Sequence, residues 1–203
     1  AVSVNAMERF LGDWALEHKL AFDKFDDEPK EESIGVIGAG PAGLAFACQA
    51  ARRGYNVTIY ESTGKAGGML YWGIPFYRLP DEVLKAEVQR ILDLGVELKL
   101  NTKAGKDISA DELRKRHQAI FMGIGAHKGK LMWIPGEDGP GVWTGTEYLH
   151  LVNDGQEVDI GKKVVIIGGG DTAIDAARAA RRAGAEATIL YRRTRTEMPA
   201  IDS

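Results

Sequence analysis

The apolar positions change their rhythm twice along the chain. Met7, Phe10, Leu11 and Trp14 recur at helical spacing, which predicts an amphipathic helix over residues 5–20, with Asn5 and Glu8 at capping-box distance. The acidic stretch Asp23–Glu32, broken by Pro29, reads as a solvated tether. From Ser33 onward the pattern becomes strand, turn, helix, strand. Ser33–Ile37 is a short apolar run, Gly38–Gly43 a glycine-rich turn, Leu44–Arg53 an alanine-rich helix stopped by Gly54, and Tyr55–Tyr60 a second strand. A long loop, Gly64–Pro80, precedes a helix over Asp81–Leu94, a strand over Val96–Leu100, a short helix opened by Ser109 and Glu112, and a strand over Gln118–Ile124. Thr144–Asn153 reads as helix. Lys162–Ile167 then opens a second strand–turn–helix–strand unit that reaches Tyr191.

That second unit repeats the first. A shift of 130 residues sets Ile37-Gly38-Ala39-Gly40 on Ile167-Gly168-Gly169-Gly170, and Gly54, Thr58 and Ile59 on Gly184, Thr188 and Ile189, without a gap. Two copies of one βαβ module predict an α/β protein with two nucleotide sites.

Composition narrows the chemistry. With 203 residues, 44% hydrophobic and 27% charged, the chain has the balance of a globular protein rather than a disordered one. Its net charge of −3 offers no general attraction to nucleic acid or anionic membrane. There is no apolar run long enough to span a bilayer, and the charged first twenty residues do not read as a signal peptide. The one cysteine, Cys48, excludes a disulfide framework, a dithiol and a cysteine-rich metal site within this sequence. It suits a reducing, cytoplasmic setting. The four histidines lack paired-ligand spacing, so no metal site is expected. Gly125-Ala126-His127-Lys128-Gly129-Lys130 falls one residue short of a P-loop and lacks its hydroxyl residue, and no GxSxG elbow occurs. His127, after a predicted strand end, is weighed as a cofactor contact. Arg114-Lys115-Arg116 reads as a charged helix face.

Glycine is in excess, 25 of 203, against a usual ~7%. Much of it serves two loops. The first, Gly38-Ala39-Gly40-Pro41-Ala42-Gly43, is a complete GxGxxG. Its glycines permit a tight turn, a close approach of pyrophosphate to backbone, and close packing of helix on strand. The helix N-terminus beyond it favours an anion. Glu61 closes the second strand, where a carboxylate accepts hydrogen bonds from adenosine ribose hydroxyls. The second loop, Gly168-Gly169-Gly170-Asp171-Thr172-Ala173, has the permitted alanine in third place. At the position of Glu61 it carries Tyr191, then Arg192, Arg193 and Arg195. A carboxylate there would repel a ribose 2′-phosphate, whereas guanidinium groups pair with it. The first cradle therefore suits FAD or NAD and the second NADP. Arg178, Arg181 and Arg182 are equally well explained by an exposed helix face.

The loop after Glu61 is long enough to be functional, and its aromatic residues suit covering a flat ring. Arg78 within it reads as a phosphate or flavin contact. These pieces together resemble the small (β) subunit family of NADPH-dependent glutamate synthase. They are the first glycine turn, Gly67-Gly68-Met69-Leu70, Gly73-Ile74-Pro75-Phe76-Tyr77-Arg78-Leu79-Pro80, the second turn continued by Ile174-Asp175, Tyr191-Arg192-Arg193, and Met198-Pro199-Ala200. The same module occurs in dihydropyrimidine dehydrogenase and in ferredoxin–NADP oxidoreductase subunits, and the resemblance covers nearly the whole chain. It implies two Rossmann-like domains, one for FAD and one for NADP(H), preceded here by a short N-terminal helix. By position it implies FAD contacts at Gly38, Gly40, Pro41, Ala42, Gly43, Glu61, Gly68, Leu70 and Arg78. It implies NADPH contacts at Gly168, Gly170, Asp171, Thr172, Arg192 and Arg193. The family's N-terminal cysteines and its C-terminal Gly-Asp segment are not found here. Both domains are accordingly expected to be incomplete at the C-terminal end, with iron–sulfur clusters only in other segments or a partner.

The expected organisation is a helix and acidic linker over 1–32, the FAD-binding part over 33–130, and a connection with the NADPH-binding part over 131–203. The expected function is electron input: hydride from NADPH to FAD, then single electrons to an iron–sulfur carrier or an amidotransferase-type partner subunit. No side chain is nominated as catalytic, since hydride transfer demands positioning and electrostatics rather than an acid or base. The lack of a dithiol argues against the disulfide-reductase branch of two-nucleotide flavoproteins. The alternative is a truncated nucleotide-binding or scaffold module of a larger complex, without turnover of its own.

Overall fold

A computed structural model describes residues 2–25 and 28–200. In chain order the helices and strands are α1 (Val4–Glu17), β1 (Ser33–Ile37), α2 (Pro41–Arg52), β2 (Asn56–Tyr60), α3 (Met69–Trp72), α4 (Asp81–Leu92), β3 (Glu97–Lys99), α5 (Ala110–Arg116), β4 (Ala119–Met122), α6 (Gly145–Asn153), β5 (Lys163–Ile167), α7 (Asp171–Arg182) and β6 (Glu186–Leu190). A 3₁₀ turn follows at Arg195–Glu197. The chain divides into two compact units. One runs to Gly68 and resumes over Pro80–Gly125; the other takes Met69–Leu79 together with the chain from Ala126 on. By sequence, Met69–Leu79 is expected within the first module.

The first unit is built on a four-stranded sheet of order β3-β2-β1-β4, with every pair parallel. Parallel strands need crossover helices, and helices on the sheet faces favour apolar residues along the central strands. In β1, Ile34, Gly35 and Val36 are all buried, and Val36 registers with Ile59 of β2 and Phe121 of β4. Leu44 and Ala47 of α2 are also in this core, as are Leu84, Val88 and Ile91 of α4. Ser109 caps α5 as its spacing predicts: its hydroxyl accepts from the Glu112 N–H, and the Glu112 carboxylate accepts from the Ser109 N–H.

Two local expectations change. Helix α1 starts one turn-position earlier, with Ser3 as its N-cap and no side-chain cap, so Asn5 and Glu8 form no capping box. Nor is the tether free over its described part; its residues 26 and 27 lie outside the described residues. Arg52 donates to the Asp23 carbonyl, the Phe25 ring lies under Arg52 and Arg53, and the Lys30 N–H donates to the Gly54 carbonyl. Gly54 has φ +86°, and a Cβ on it would lie 2.7 Å from the Glu28 carbonyl oxygen. The glycine that stops α2 thus also makes room for the linker.

In the second unit β5 and β6 form a parallel pair, and Ala176 and Ala179 of α7 pack with Tyr148 and Leu149 of α6. Complete burial of a Val or Ile side chain is worth about 1.5–3 kcal/mol. Val36 and Ile59 receive that in full, whereas Val165 and Ile167 of β5 are 64% and 54% exposed. The fold is Rossmann-like in its βαβ units, as the repeat predicts. Among the described residues no helix is long and apolar enough to cross a membrane.

Candidate functional site

The first cradle lies where β1 passes into α2. Gly38 turns the chain with φ +98°, a conformation that L side chains rarely adopt, and a Cβ there would lie 2.5 Å from the Gly123 carbonyl oxygen. On Gly43 a Cβ would overlap the Gly38 carbonyl. Gly40 is approached by a second glycine: Gly68 has φ +55°, and a Cβ on it would come within 2.7 Å of the Gly40 Cα. The Gly67 N–H ties that approach by donating to the Ala39 carbonyl at 2.7 Å. Helix α2 opens on Gly40 with Pro41 in its first turn and no side-chain cap, so its N-terminal field is not spent on a side chain. Ala42 is exposed in the same turn.

Glu61 belongs to this turn. Its Oε2 accepts from the Ala39 N–H at 2.8 Å, and its Oε1 from the Thr63 N–H and hydroxyl at 2.8 and 2.9 Å and from Ser62 at 3.2 Å. The carboxylate is buried, yet four donors satisfy it, which is what burial of a charge requires. The glycine approach and this carboxylate fit a dinucleotide. A Cβ at Gly68 would collide with the Gly40 backbone.

The second cradle repeats the turn with different furniture. Gly168 has φ +142°, and α7 opens on Gly170 with Asp171 in its first turn and no side-chain cap. Tyr191 stands where Glu61 stands in the first copy. A Cβ on Gly169 would meet its ring at 2.7 Å, and its hydroxyl donates to the Glu197 carbonyl. Arg192 and Arg193 are exposed just beyond, with no ion-pair partner among the described residues. Two guanidinium groups uncommitted to carboxylates fit a 2′-phosphate. A cleft of about 890 Å³ opens on this turn, lined by Gly168, Gly170 and Thr172 and by the apolar Ile134, Trp143 and Val165.

The residues 69–79 are held within the second unit. Asn153 donates to the Tyr71 and Ile74 carbonyls, and His150 stacks on Trp72 with centroids 4.4 Å apart. Leu70 is half-buried beside them. Arg78 Nε donates to Asp175 Oδ1 at 2.6 Å, and Tyr77 donates to the same oxygen at 3.2 Å. The Tyr77 ring has Arg182 at 3.8 Å and Arg178 at 4.6 Å from its centroid. Burial, and after it the Asp175 carboxylate, push the Tyr77 phenol above its ordinary value. Arg78 Nη2 is buried without a hydrogen-bond partner among the described residues, and it forms an ion pair with the Asp171 carboxylate at 3.9 Å.

The structure thus groups Gly38, Gly40, Gly43, Glu61 and Gly68 about one turn, and Gly168, Gly170, Asp171, Thr172, Arg192 and Arg193 about the other. Arg78 is paired with α7. His127 is exposed. Cys48 is buried within α2, and burial raises its thiol, as befits a packing residue. Three partners escaped the sequence reading. Tyr77 and Asp175 were quoted only as parts of motifs. A signal existed for Asp175, an acid placed among alanines on the same helix face as Arg178 and Arg182, at i+3 and i+7 from it. His117 was weighed only as a zinc ligand. It is buried between the Ser33 and Tyr60 hydroxyls, at 2.7 and 2.9 Å.

Comparisons with known proteins give the family and the fold. The chain is 41% identical over 206 residues to the NADPH-Fe(3+) oxidoreductase subunit beta of Geobacter sulfurreducens, covering 98% of this chain and 31% of that one. It is 39% identical to a putative glutamate synthase [NADPH] small chain of Cereibacter sphaeroides, covering 98% of this chain and 50% of that one. The chain therefore spans about a third to a half of these relatives. Among solved structures, a 2-naphthoyl-CoA reductase complex superposes with a TM-score of 0.67 at 31% identity, over 84% of this chain and 24% of that one. FprA from Mycobacterium tuberculosis in complex with NADPH shares the fold, with a TM-score of 0.69 at 21% identity over 85% of this chain and 45% of that one. Residues 32–203 match the pyridine nucleotide-disulphide oxidoreductase family throughout, and by that match the chain belongs to it.

Proposed function

We propose that this chain is the electron-input part of an NADPH-dependent flavoprotein oxidoreductase. The observation that carries the reading is the divergence of two copies of one turn. A buried carboxylate, Glu61, closes the first, and the exposed Arg192 and Arg193, without an ion-pair partner among the described residues, stand beside the second. On this reading Gly38, Gly40, Pro41, Ala42, Gly43, Glu61, Gly68, Leu70 and Arg78 contact FAD. Gly168, Gly170, Asp171, Thr172, Arg192 and Arg193 contact NADPH. When bound, a flavin accepts hydride from NADPH and passes electrons on singly, so the chemistry is the cofactor's. The chain's own work is to bind and orient. The α2 and α7 N-termini face the pyrophosphates, Glu61 exchanges its Ser62 and Thr63 hydroxyl donors for ribose hydroxyls, and the two arginines select the 2′-phosphate.

Relatives named as a subunit beta and as a small chain support a partner subunit. We assign it as an iron–sulfur or amidotransferase-type protein, and the setting as cytoplasmic. The test is spectroscopic. The full-length protein is expected to purify yellow and to lose its visible flavin band on anaerobic addition of NADPH. A colourless protein, or flavin that stays oxidised, would leave a nucleotide-binding module without turnover.

A further inference from the structure

We propose that His117 is a positioning residue for the first cradle, acting on it through the Tyr60 hydroxyl and the end of β2. It deepens the reading above, in which this cradle holds FAD, and rests on it.

Admitting the imidazole costs β1 a side chain. Gly35 sits mid-strand between the buried Ile34 and Val36, in a strand paired on both sides. A glycine there weakens the strand, and β-branched residues are favoured. A Cβ on it would lie 2.7 Å from the His117 ring. His117 itself is 7% exposed, and an apolar side chain would fill the same space with no polar group to satisfy. Its contacts account for the histidine. Nδ1 lies 2.7 Å from the Ser33 hydroxyl at the start of β1, and Nε2 lies 2.9 Å from the Tyr60 hydroxyl at the end of β2. Tyr60 is 2% exposed, so its hydroxyl requires such a partner. Its ring meets the imidazole edge-on and packs with Ile108 and Leu113.

Tyr60 is also where this network meets the cradle. Its carbonyl accepts from the N–H of Gly38, the first glycine of the turn, at 2.8 Å. The next residue is Glu61, whose N–H donates to the Lys99 carbonyl and whose Oε2 accepts from the Ala39 N–H, both at 2.8 Å. The strand end is thus held by the glycine turn through its main chain and by the imidazole through its side chain. Ser33, His117, Tyr60 and Gly38 all belong to the first compact unit. A contacting group keeps its geometry only when its own supports are fixed by packing and hydrogen bonds. Releasing the Tyr60 hydroxyl loosens the strand end that carries Glu61, and with it the carboxylate that takes the ribose hydroxyls.

The experiment strips flavin from the full-length protein and titrates FAD back below the thermal midpoint of each variant. In His117→Asn the amide reaches about the place of Nδ1, and in His117→Gln about that of Nε2, so only His117→Gln keeps a partner for Tyr60. His117→Asn and Tyr60→Phe are each expected to weaken FAD about three- to tenfold, the worth of one hydrogen bond. Their double variant should lie within about twofold of the weaker single one, because both cut the same link. His117→Gln should bind FAD within about twofold of wild type, and NADPH affinity should hold within about twofold in every variant. Lost stability alone lowers the thermal midpoint and leaves the FAD dissociation constant of the folded protein where it was. Wild-type FAD affinity in His117→Asn or Tyr60→Phe, losses that multiply in the double variant, an equal loss in His117→Gln, or an equal loss of NADPH would each overturn the proposal. Should His117→Asn not fold, Tyr60→Phe decides alone: weakened FAD with NADPH unchanged supports the proposal, and wild-type FAD affinity overturns it. A wild-type protein that takes up no FAD would instead sink the flavin reading itself.

Discussion

Glu61 and Gly68 show how single side chains, or the lack of one, shape the first cradle. Gly68 is a residue for which even a methyl group has no room, since its Cβ would sit 2.7 Å from the Gly40 Cα and its φ is +55°. Gly68→Ala is expected to cost about 1–3 kcal/mol of stability through overpacking. It should also lower the flavin recovered per chain, and flavin content after desalting checks this. At the other cradle, Arg192→Ala with Arg193→Ala removes charge from a solvated surface, so folding should be unaffected. Loss of charge-assisted contacts to the 2′-phosphate is expected to raise the NADPH requirement on the order of tenfold or more, with NADH changed less than about twofold. Equal losses for both dinucleotides would refute the assignment of the second site. The two glycine turns and the place of Glu61 beside the first were legible because each answers to one local need at fixed spacing. Asp175 was harder, because its partners, Tyr77 and Arg78, lie almost a hundred residues earlier in the chain.

Secondary-structure elements were legible in proportion to how locally they are determined. The capping box of α5 is settled within four residues, and it formed as expected. By contrast, α3 is one turn of helix inside a stretch that sequence describes only as loop; its Tyr71 and Trp72 are buried by packing within the second unit. The His117 network belongs at this scale, because it joins the residue after α5 to the first residue of β1 and the last of β2. Gly35 makes room for it: a Cβ there would lie 2.7 Å from the imidazole. Burial, and then the charges of Arg116 and Lys99, hold the His117 imidazole below its ordinary value of 6.5, with Glu97 opposing them. The sign follows. The unfolded chain takes up a proton more readily than the folded one. Stability is therefore full above pH 6.5 and falls as pH drops from there through the lower folded value. His117→Asn should remove that part of the slope, and thermal unfolding followed from pH 7.5 down to about pH 5 is the measurement. An identical slope in the variant would show that other groups carry it.

At the scale of the whole chain, the duplication was the most legible feature. A repeat offset by 130 residues is written in residue identities, and both copies fold as parallel βαβ units. The shape of the two turns follows from short-range rules: positive φ demands glycine, and close backbone approach forbids a Cβ. These act within a few residues of one another, so the sequence by itself determined them. The allocation of Met69–Leu79 to the second compact unit was not of this kind. Nor were the anchoring of the acidic linker by Phe25 and Arg52, or the pairing of Arg78 with Asp175. Those outcomes depend on hydrogen bonds, stacked rings and ion pairs between segments far apart in the chain. Composition and periodicity specify which surfaces seek partners. Only the closed fold decides which partners they find.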